Sequence, residues 1–313
     1  MPDLRGRERA AMRVLLTGGT GFVGSGVRRE LKALGHDVRI LARPSSVGKL
    51  DAREGVEVMV GDVLDTHACL RATTDCDAIA HLVGIRREFP QEGITYEAMH
   101  TEATYAIVDA ARRNGVQRVV YLSSLGARAD APSGYHRTKA EAEEIVRASG
   151  MRFTIFRPSI IFGPGDEFHP LMADLVHRPI VPVIDGGRAL IQPVAHRNVV
   201  GPIARSLTMP ETQGKVYEIG GPERMAFVDI MYKVARHYGV WPNTVSVSSR
   251  FAKPMVKFAQ RFRGFPLTLD ELYMLLEDNV CDSTAFTSTF GVKLDSYEDK
   301  IPSLLPRIQE LAA

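Results

Sequence analysis

Tyr135 and Lys139 stand four residues apart in Tyr-His-Arg-Thr-Lys, a spacing that places phenol and ammonium on one face of a helix. A free phenol titrates at about pH 10 and is a poor base at neutral pH. A neighbouring ammonium group and an oxidised nicotinamide ring would each stabilise its phenolate. The phenol would then give or take the proton of a carbonyl or hydroxyl while hydride moves. Tyr-x-x-x-Lys pairs arise by chance in many helices, so the weight comes from context. Here the pair lies one strand–helix unit after an apolar run ending in Ser123-Ser124. A serine hydroxyl at that strand end would hold the same substrate oxygen.

A second group of residues implies what carries the hydride. Val14-Leu15-Leu16-Thr17 runs into Gly18-Gly19-Thr20-Gly21-Phe22-Val23-Gly24, which satisfies two glycine spacings, Gly19-x-Gly21-x-x-Gly24 and Gly18-x-x-Gly21-x-x-Gly24. One glycine makes the tight turn, one admits a pyrophosphate against the backbone, and one lets helix and strand pack closely. The helix N-terminus supplies free N–H groups for the phosphates. Gly18, Thr20, Gly21, Phe22, Val23 and Gly24 are therefore the expected cradle of a dinucleotide. The second strand ends in Arg43 where an NAD-binding chain would carry an acid, so NADP(H) is expected in preference to NAD(H). The alternative for Arg43 is a solvated surface cation. Asp62 and Val63 would meet the adenine, with capping of the next helix an equally ordinary use for Asp62. Lys139 would also hydrogen-bond the nicotinamide ribose.

The elements that must position these residues alternate. Apolar runs at 13–17, 37–41, 56–60, 78–83, 118–123 and 152–156 read as strands, with helices expected at 22–34, 46–53, 66–72, 95–113 and 135–149. Continuous apolar strands such as Val-Leu-Leu suit a parallel sheet covered on both faces. The fold class is thus α/β: a Rossmann-type doubly wound parallel sheet with helices on both faces. Residues 1–11 read as a flexible polar tail and 12–162 as the dinucleotide-binding domain, to which 189–222 returns through a short strand at 216–220. The loop-like stretch 163–188 and the mostly helical 223–313 are expected to form a smaller region covering the substrate.

Composition narrows the partners. With 39 basic and 37 acidic residues the formal charge is +2, which gives no reason to expect nucleic acid. Cys69, Cys76 and Cys281 match no metal-ligand spacing and read as reduced thiols. The polar N-terminus lacks the apolar stretch of a secretory signal, and no apolar run is long enough to span a bilayer. A cytoplasmic protein is expected, free to lie against a membrane. His81, inside an apolar strand, reads as a satisfied core histidine. The stretch 253–263 carries Lys253, Lys257, Arg261 and Arg263, interleaved with Met255, Phe258 and Phe262 after Phe251. It either meets an anionic membrane surface or partner, or packs its apolar side inward and leaves a solvated basic side.

TGGTGFVG, GDV, YLSS and YHRTK together resemble the short-chain dehydrogenase/reductase superfamily, on its extended or atypical branch. That resemblance implies Ser124 as the catalytic hydroxyl with Ser123 as fallback, beside Tyr135 and Lys139. The segments FRPSIIFGPGDEF at 156–168, IQPVAHRNVV at 191–200 and PLTLDELYMLLEDNV at 266–280 narrow the likeness to relatives of the NADPH-binding accessory subunit of respiratory complex I. Pro158, in the Arg-Pro-x-x-Ile motif, would precede the loop that passes the nicotinamide. Two positions depart from the pattern: His100 stands where extended members carry an Asn, and Asn198-Val199 where relatives carry Asp-Val. His100 either replaces the Asn as a neutral imidazole or is a packed helix residue. The resemblance leaves an NADP-dependent oxidoreductase or epimerase/dehydratase-like enzyme acting on a carbonyl or secondary alcohol, a non-catalytic NADPH-binding module contacting a respiratory complex, and a lipid- or quinone-related role at a membrane surface.

Overall fold

Val14, Leu15 and Leu16 are all fully buried in strand β1 (Arg13–Thr17), yet they pack into two different cores. Val14 and Leu16 face one layer of helices and Leu15 the other, as alternation along a strand covered on both sides requires. The computed structural model describes residues 11–50, 55–262, 265 and 267–305. Most of the expected tail, the end of the expected 46–53 helix and Arg263 lie outside them.

Seven strands form the main sheet. β1 is flanked by β2 (Asp37–Ala42) and then β3 (Glu57–Val60) on one side. On the other side follow β4 (Ala78–His81), β5 (Arg118–Leu122), β6 (Arg152–Pro158) and β11 (Lys215–Ile219). Every pairing in this sheet is parallel. Between the strands run α1 (Phe22–Ala33), α2 (Pro44–Val47), α3 (Thr66–Thr73), α4 (Ala103–Arg113) and α5 (Gly134–Ala148). The order reverses at β1, so a crevice opens beyond the carboxyl ends of β1 and β4, where ligands of such sheets bind.

Helix α7 (His196–Ser206) packs on α1, and Gly26 permits it: a Cβ there would stand 2.3 Å from His196 Cε1. Cys69, on the buried side of α3, and Cys76, just after that helix, are both unbridged. His81 is also buried, Nδ1 at 2.6 Å from Thr17 Oγ1 and Nε2 at 3.0 Å from Thr104 Oγ1. Burial and the Lys139 ammonium push its pKa down to about 3, so it is a neutral, satisfied core histidine.

Four expectations need correction. The stretch 163–188 is not loop throughout, because Phe168–Val176 forms α6 and Val181–Ile184 forms β8; buried Met172, Val176, Val181 and Val183 supply a core that its glycines and prolines concealed. The helix expected over 95–113 opens with a π-helical turn, Glu97–Glu102, before α4. Asp62 does not cap α3; Asp65 does, accepting from His67 N at 2.9 Å, while Asp62 accepts from Leu64 N at 3.0 Å. The described part of the 46–53 helix is a single turn, α2, which starts earlier because Pro44 presets its first position.

The C-terminal region adds α8 (Phe227–His237), β13 (Thr244–Val247), α9 (Ser249–Ala259), α10 (Leu269–Leu275), α11 (Thr284–Phe290) and α12 (Tyr297–Leu304). Outside the main sheet β13 pairs with β8, β10 (Val194–Ala195) with β7 (Ile161–Phe162), and β12 (Met225–Ala226) with β9 (Leu190–Ile191).

Candidate functional site

The glycine turn is built for close backbone approach. Gly18 takes φ 72°, and a Cβ on it would fall 2.8 Å from the Leu82 carbonyl at the end of β4. A Cβ on Gly24 would stand 2.0 Å from Gly18 O, so helix and turn touch through backbone alone. Gly21 N–H donates to Gly18 O at 3.0 Å and closes the turn. Gly21 is also the N-cap of α1 and has no side chain to cap it, so the first-turn N–H groups of Phe22, Val23 and Gly24 carry no side-chain partner of that kind. Thr20 is half-buried in the same turn, and the Phe22 ring lies 4.5 Å from the His196 ring. This is a cradle that an anionic diphosphate fits.

The residues expected around the rest of a dinucleotide lie on adjacent strand ends. Arg43 directly follows β2, is exposed, and forms no ion pair among the described residues. Asp62 is half-buried and Val63 buried just past β3, whose strand end is tied to β2 by Gly61 N–H to Ala42 O at 3.0 Å. Pro158 closes β6 and is buried, its carbonyl accepting from Leu125 N at 2.9 Å. Among the described residues no cluster of His, Cys, Asp or Glu is placed to hold a metal ion.

Helix α5 begins at the rim of the crevice. Ser133 caps it by accepting from His136 N at 3.2 Å. Tyr135 therefore stands in the first turn, half-buried, near Ser124, whose hydroxyl donates to Leu125 O at 3.3 Å. Burial raises the Tyr135 pKa, and the Ser124 hydroxyl and the Arg86 guanidinium offset only part of that rise. The Ser123 hydroxyl is buried and has no hydrogen-bond partner among the described residues. One turn beyond Tyr135, Lys139 is only 3% exposed. Its Nζ donates to Leu122 O at 3.0 Å and Val83 O at 3.4 Å, at the carboxyl ends of β5 and β4. Burial pulls its pKa down to about 7, with Glu143 acting weakly the other way. Gly84 makes room for it, since a Cβ there would lie 2.9 Å from Nζ.

His100 belongs to this group and is also a packed helix residue. The π-helical turn swings it inward, fully buried, with its ring 5.3 Å from that of Tyr135 and edge-on to it. Nε2 lies 3.1 Å from Ile85 N and 3.2 Å from Ile85 O, and Nδ1 lies 2.9 Å from Thr138 Oγ1. Thr138 in turn donates to Gly134 O at 2.9 Å. Burial and the Lys139 charge push the imidazole pKa down to about 2. With both ring nitrogens engaged, His100 ties Ile85, after β4, to Thr138 on α5.

Several side chains at the rim escaped the sequence reading. Tyr96 stacks on His100 at 5.5 Å, meets Tyr135 edge-on at 5.7 Å, and donates to Arg86 O at 2.7 Å. Arg86 reaches Glu271 at 2.8 Å, and Asp270 accepts from Gly134 N–H, immediately before Tyr135. Arg128 makes a two-pronged pair with Glu277 at 2.6 and 3.1 Å. The C-terminal segment is thus stapled across the carboxyl ends of β4 and β5. The signal available was charge in the loops after those strands, Arg86-Arg87-Glu88 above all. Asn198, the second departure, holds the C-terminal region too, accepting from Asp295 N at 2.8 Å.

The chain is similar to known proteins. The chain is 28% identical over 302 residues to the mitochondrial NADH dehydrogenase (ubiquinone) 1 alpha subcomplex subunit 9 of Arabidopsis thaliana, covering 92% of this chain and 74% of that protein. It is 33% identical over 172 residues to a ceramide reductase of Caulobacter vibrioides, covering 55% of this chain and 53% of that enzyme. In three dimensions it resembles the NADPH-dependent quinone oxidoreductase QOR2 of Escherichia coli, solved with NADPH, with a TM-score of 0.74. That likeness covers 93% of this chain and 99% of that one at 18% identity, and speaks to the fold. Residues 14–220, from the first strand through the glycine turn to the end of β11, match the NAD dependent epimerase/dehydratase family, and the chain belongs to it.

Proposed function

We propose that the protein is an NADP(H)-dependent oxidoreductase acting on a carbonyl or secondary alcohol through Ser124, Tyr135 and Lys139. The observation that carries this reading is the placing of a phenol, its serine partner and a buried amine at the same sheet edge as the glycine cradle. When bound, the cofactor would supply or accept hydride. The α1 N-terminus and Gly18–Gly24 would hold its diphosphate, Arg43 its 2′-phosphate, Asp62 and Val63 its adenine, and Lys139 its nicotinamide ribose. Pro158 would line the nicotinamide side.

Ser124 would orient the substrate oxygen toward Tyr135, which would move the proton at its phenolic oxygen. A positive charge on Lys139 would favour the Tyr135 phenolate, as the Arg86 guanidinium does against the burial that raises its pKa. Tyr135→Phe removes the proton donor and keeps the ring. With NADPH and a panel of carbonyl compounds, the turnover number of the variant is expected to fall about 100- to 10,000-fold. Equal turnover by Tyr135→Phe would sink the mechanism.

A second reading rests on the likeness to the plant mitochondrial subunit, which extends over 92% of the chain. In that reading the same site holds NADPH without turnover, as an accessory module of a respiratory complex. Tightly retained NADPH that no carbonyl in the panel consumes would favour it.

A further inference from the structure

Helix α9 carries two apolar stripes, and the structure covers the smaller one. Ala252 and Val256 are buried against Leu272 of α10, with Ile184, Val247 and Leu269 packed around them. The larger stripe faces outward: Phe251 is 75% exposed, Met255 53%, Phe258 62% and Phe262 61%. Steps of four and three residues put Phe251, Met255 and Phe258 on one side of the helix, and Phe262, just past its end, brings its ring to 5.5 Å from that of Phe258. Arg250, Lys257 and Arg261 are exposed on the adjoining flank, with half-buried Lys253 beside them. Among the described residues none of these four cations forms an ion pair; Lys253 lies over the Tyr273 ring at 5.2 Å. Asp185, which accepts from Ser249 N at 2.8 Å, is the acid nearest the start of the helix, and the sequence has no other from Ser249 to Leu269.

An exposed aromatic stripe this continuous is uncommon on a water-facing helix. A flank of unpaired cations selects an anionic occupant, and a broad apolar stripe beside it selects one with a hydrocarbon interior. Both requirements meet at the surface of an anionic bilayer. We infer that α9 docks the protein onto an anionic lipid bilayer, Phe251, Met255, Phe258 and Phe262 entering the acyl boundary and Arg250, Lys257 and Arg261 meeting headgroups. α9 leads into α10, whose Asp270 holds Gly134 N–H beside Tyr135, so the docked face adjoins the rim of the candidate site. This inference stands independently of the oxidoreductase reading.

The test is co-sedimentation of the full chain with vesicles of phosphatidylcholine plus phosphatidylglycerol, and with phosphatidylcholine alone, from low to high salt. Binding is expected to the anionic vesicles and to weaken as salt rises. Replacing Phe251→Ser and Phe258→Ser together is expected to weaken it about tenfold per residue. Lys257→Gln with Arg261→Gln should weaken it about 25-fold at low salt, at about fivefold per cation. The Gln pair lies on the exposed flank and keeps the test decisive where the Ser pair fails to fold, as thermal melting would report. No binding to anionic vesicles at low salt overturns the inference, as does binding equal on both vesicles and indifferent to salt. Sedimentation velocity showing a dimer that the Phe251→Ser and Phe258→Ser changes dissociate, with no vesicle binding, assigns the face to a second copy and overturns it too. Vesicle binding is read without turnover, so its failure and failure of the NADPH assay are separate results.

Discussion

Lys139 shows how a residue's surroundings set its charge. An amine held by two carbonyl oxygens, with no carboxylate in contact among the described residues, keeps a pKa of about 7 against an ordinary 10.5. Between those two values the unfolded chain binds more protons at this position than the folded one. Stability is therefore lowest, for this group, below pH 7 and rises with pH through the window, by about 1.4 kcal/mol per pH unit. Unfolding by denaturant of the cofactor-free protein at pH 7 and pH 9 should show that slope relative to Lys139→Met; equal pH dependence in the two proteins would refute it. The buried thiols, whose raised pKa values act in the opposite sense, are common to both proteins and cancel. Arg43 raises a different question, since it is exposed and makes no ion pair among the described residues. If it receives the 2′-phosphate, Arg43→Asp should cut the NADPH-over-NADH preference about 10- to 150-fold, measured by fluorescence titration. An unchanged ratio would leave it a solvated cation.

At the scale of elements, the glycine turn and the π-helical turn do opposite kinds of work. The turn admits backbone to backbone contact: a methyl group at Gly24 would collide with Gly18 O at 2.0 Å, and neither atom belongs to a side chain that can swing away. Gly24→Ala is expected to cost about 1–3 kcal/mol in stability and to abolish cofactor retention. Retention equal to that of the parent protein would refute the cradle. The π-helical turn brings in an extra residue and so aims His100 at α5, where its neutral ring anchors Thr138 and stacks against Tyr96. Such insertions recur at functional sites. Helix periodicity alone reads 95–113 as one continuous element, because a single inserted residue leaves apolar spacing almost unaltered.

Across the whole molecule, the local rules and the long-range contacts divide the information. β1 ends where its apolar run ends, and β5, α1 and α5 fall within one or two residues of their expected bounds. These are signals of short range: burial on both faces demands unbroken apolar strands, and a tight turn demands glycine. The positions of Tyr135 and Lys139 on one helix face were legible for the same reason. Tyr96, Arg86, Asp270 and Glu271 were not, since the contact of Arg86 with Glu271 joins segments 185 residues apart, and nothing in either segment names the other. His100 was visible as a departure from a pattern, but its engagement by Ile85 and Thr138 came only from the packing of the helices. Helix α9 makes the division plainest. Its sequence contains an apolar stripe of large side chains and one of small ones, and burial of the larger is the simpler expectation. Tertiary structure buried Ala252 and Val256, because α10 can approach closely only over small residues, and that choice turned four large apolar side chains outward.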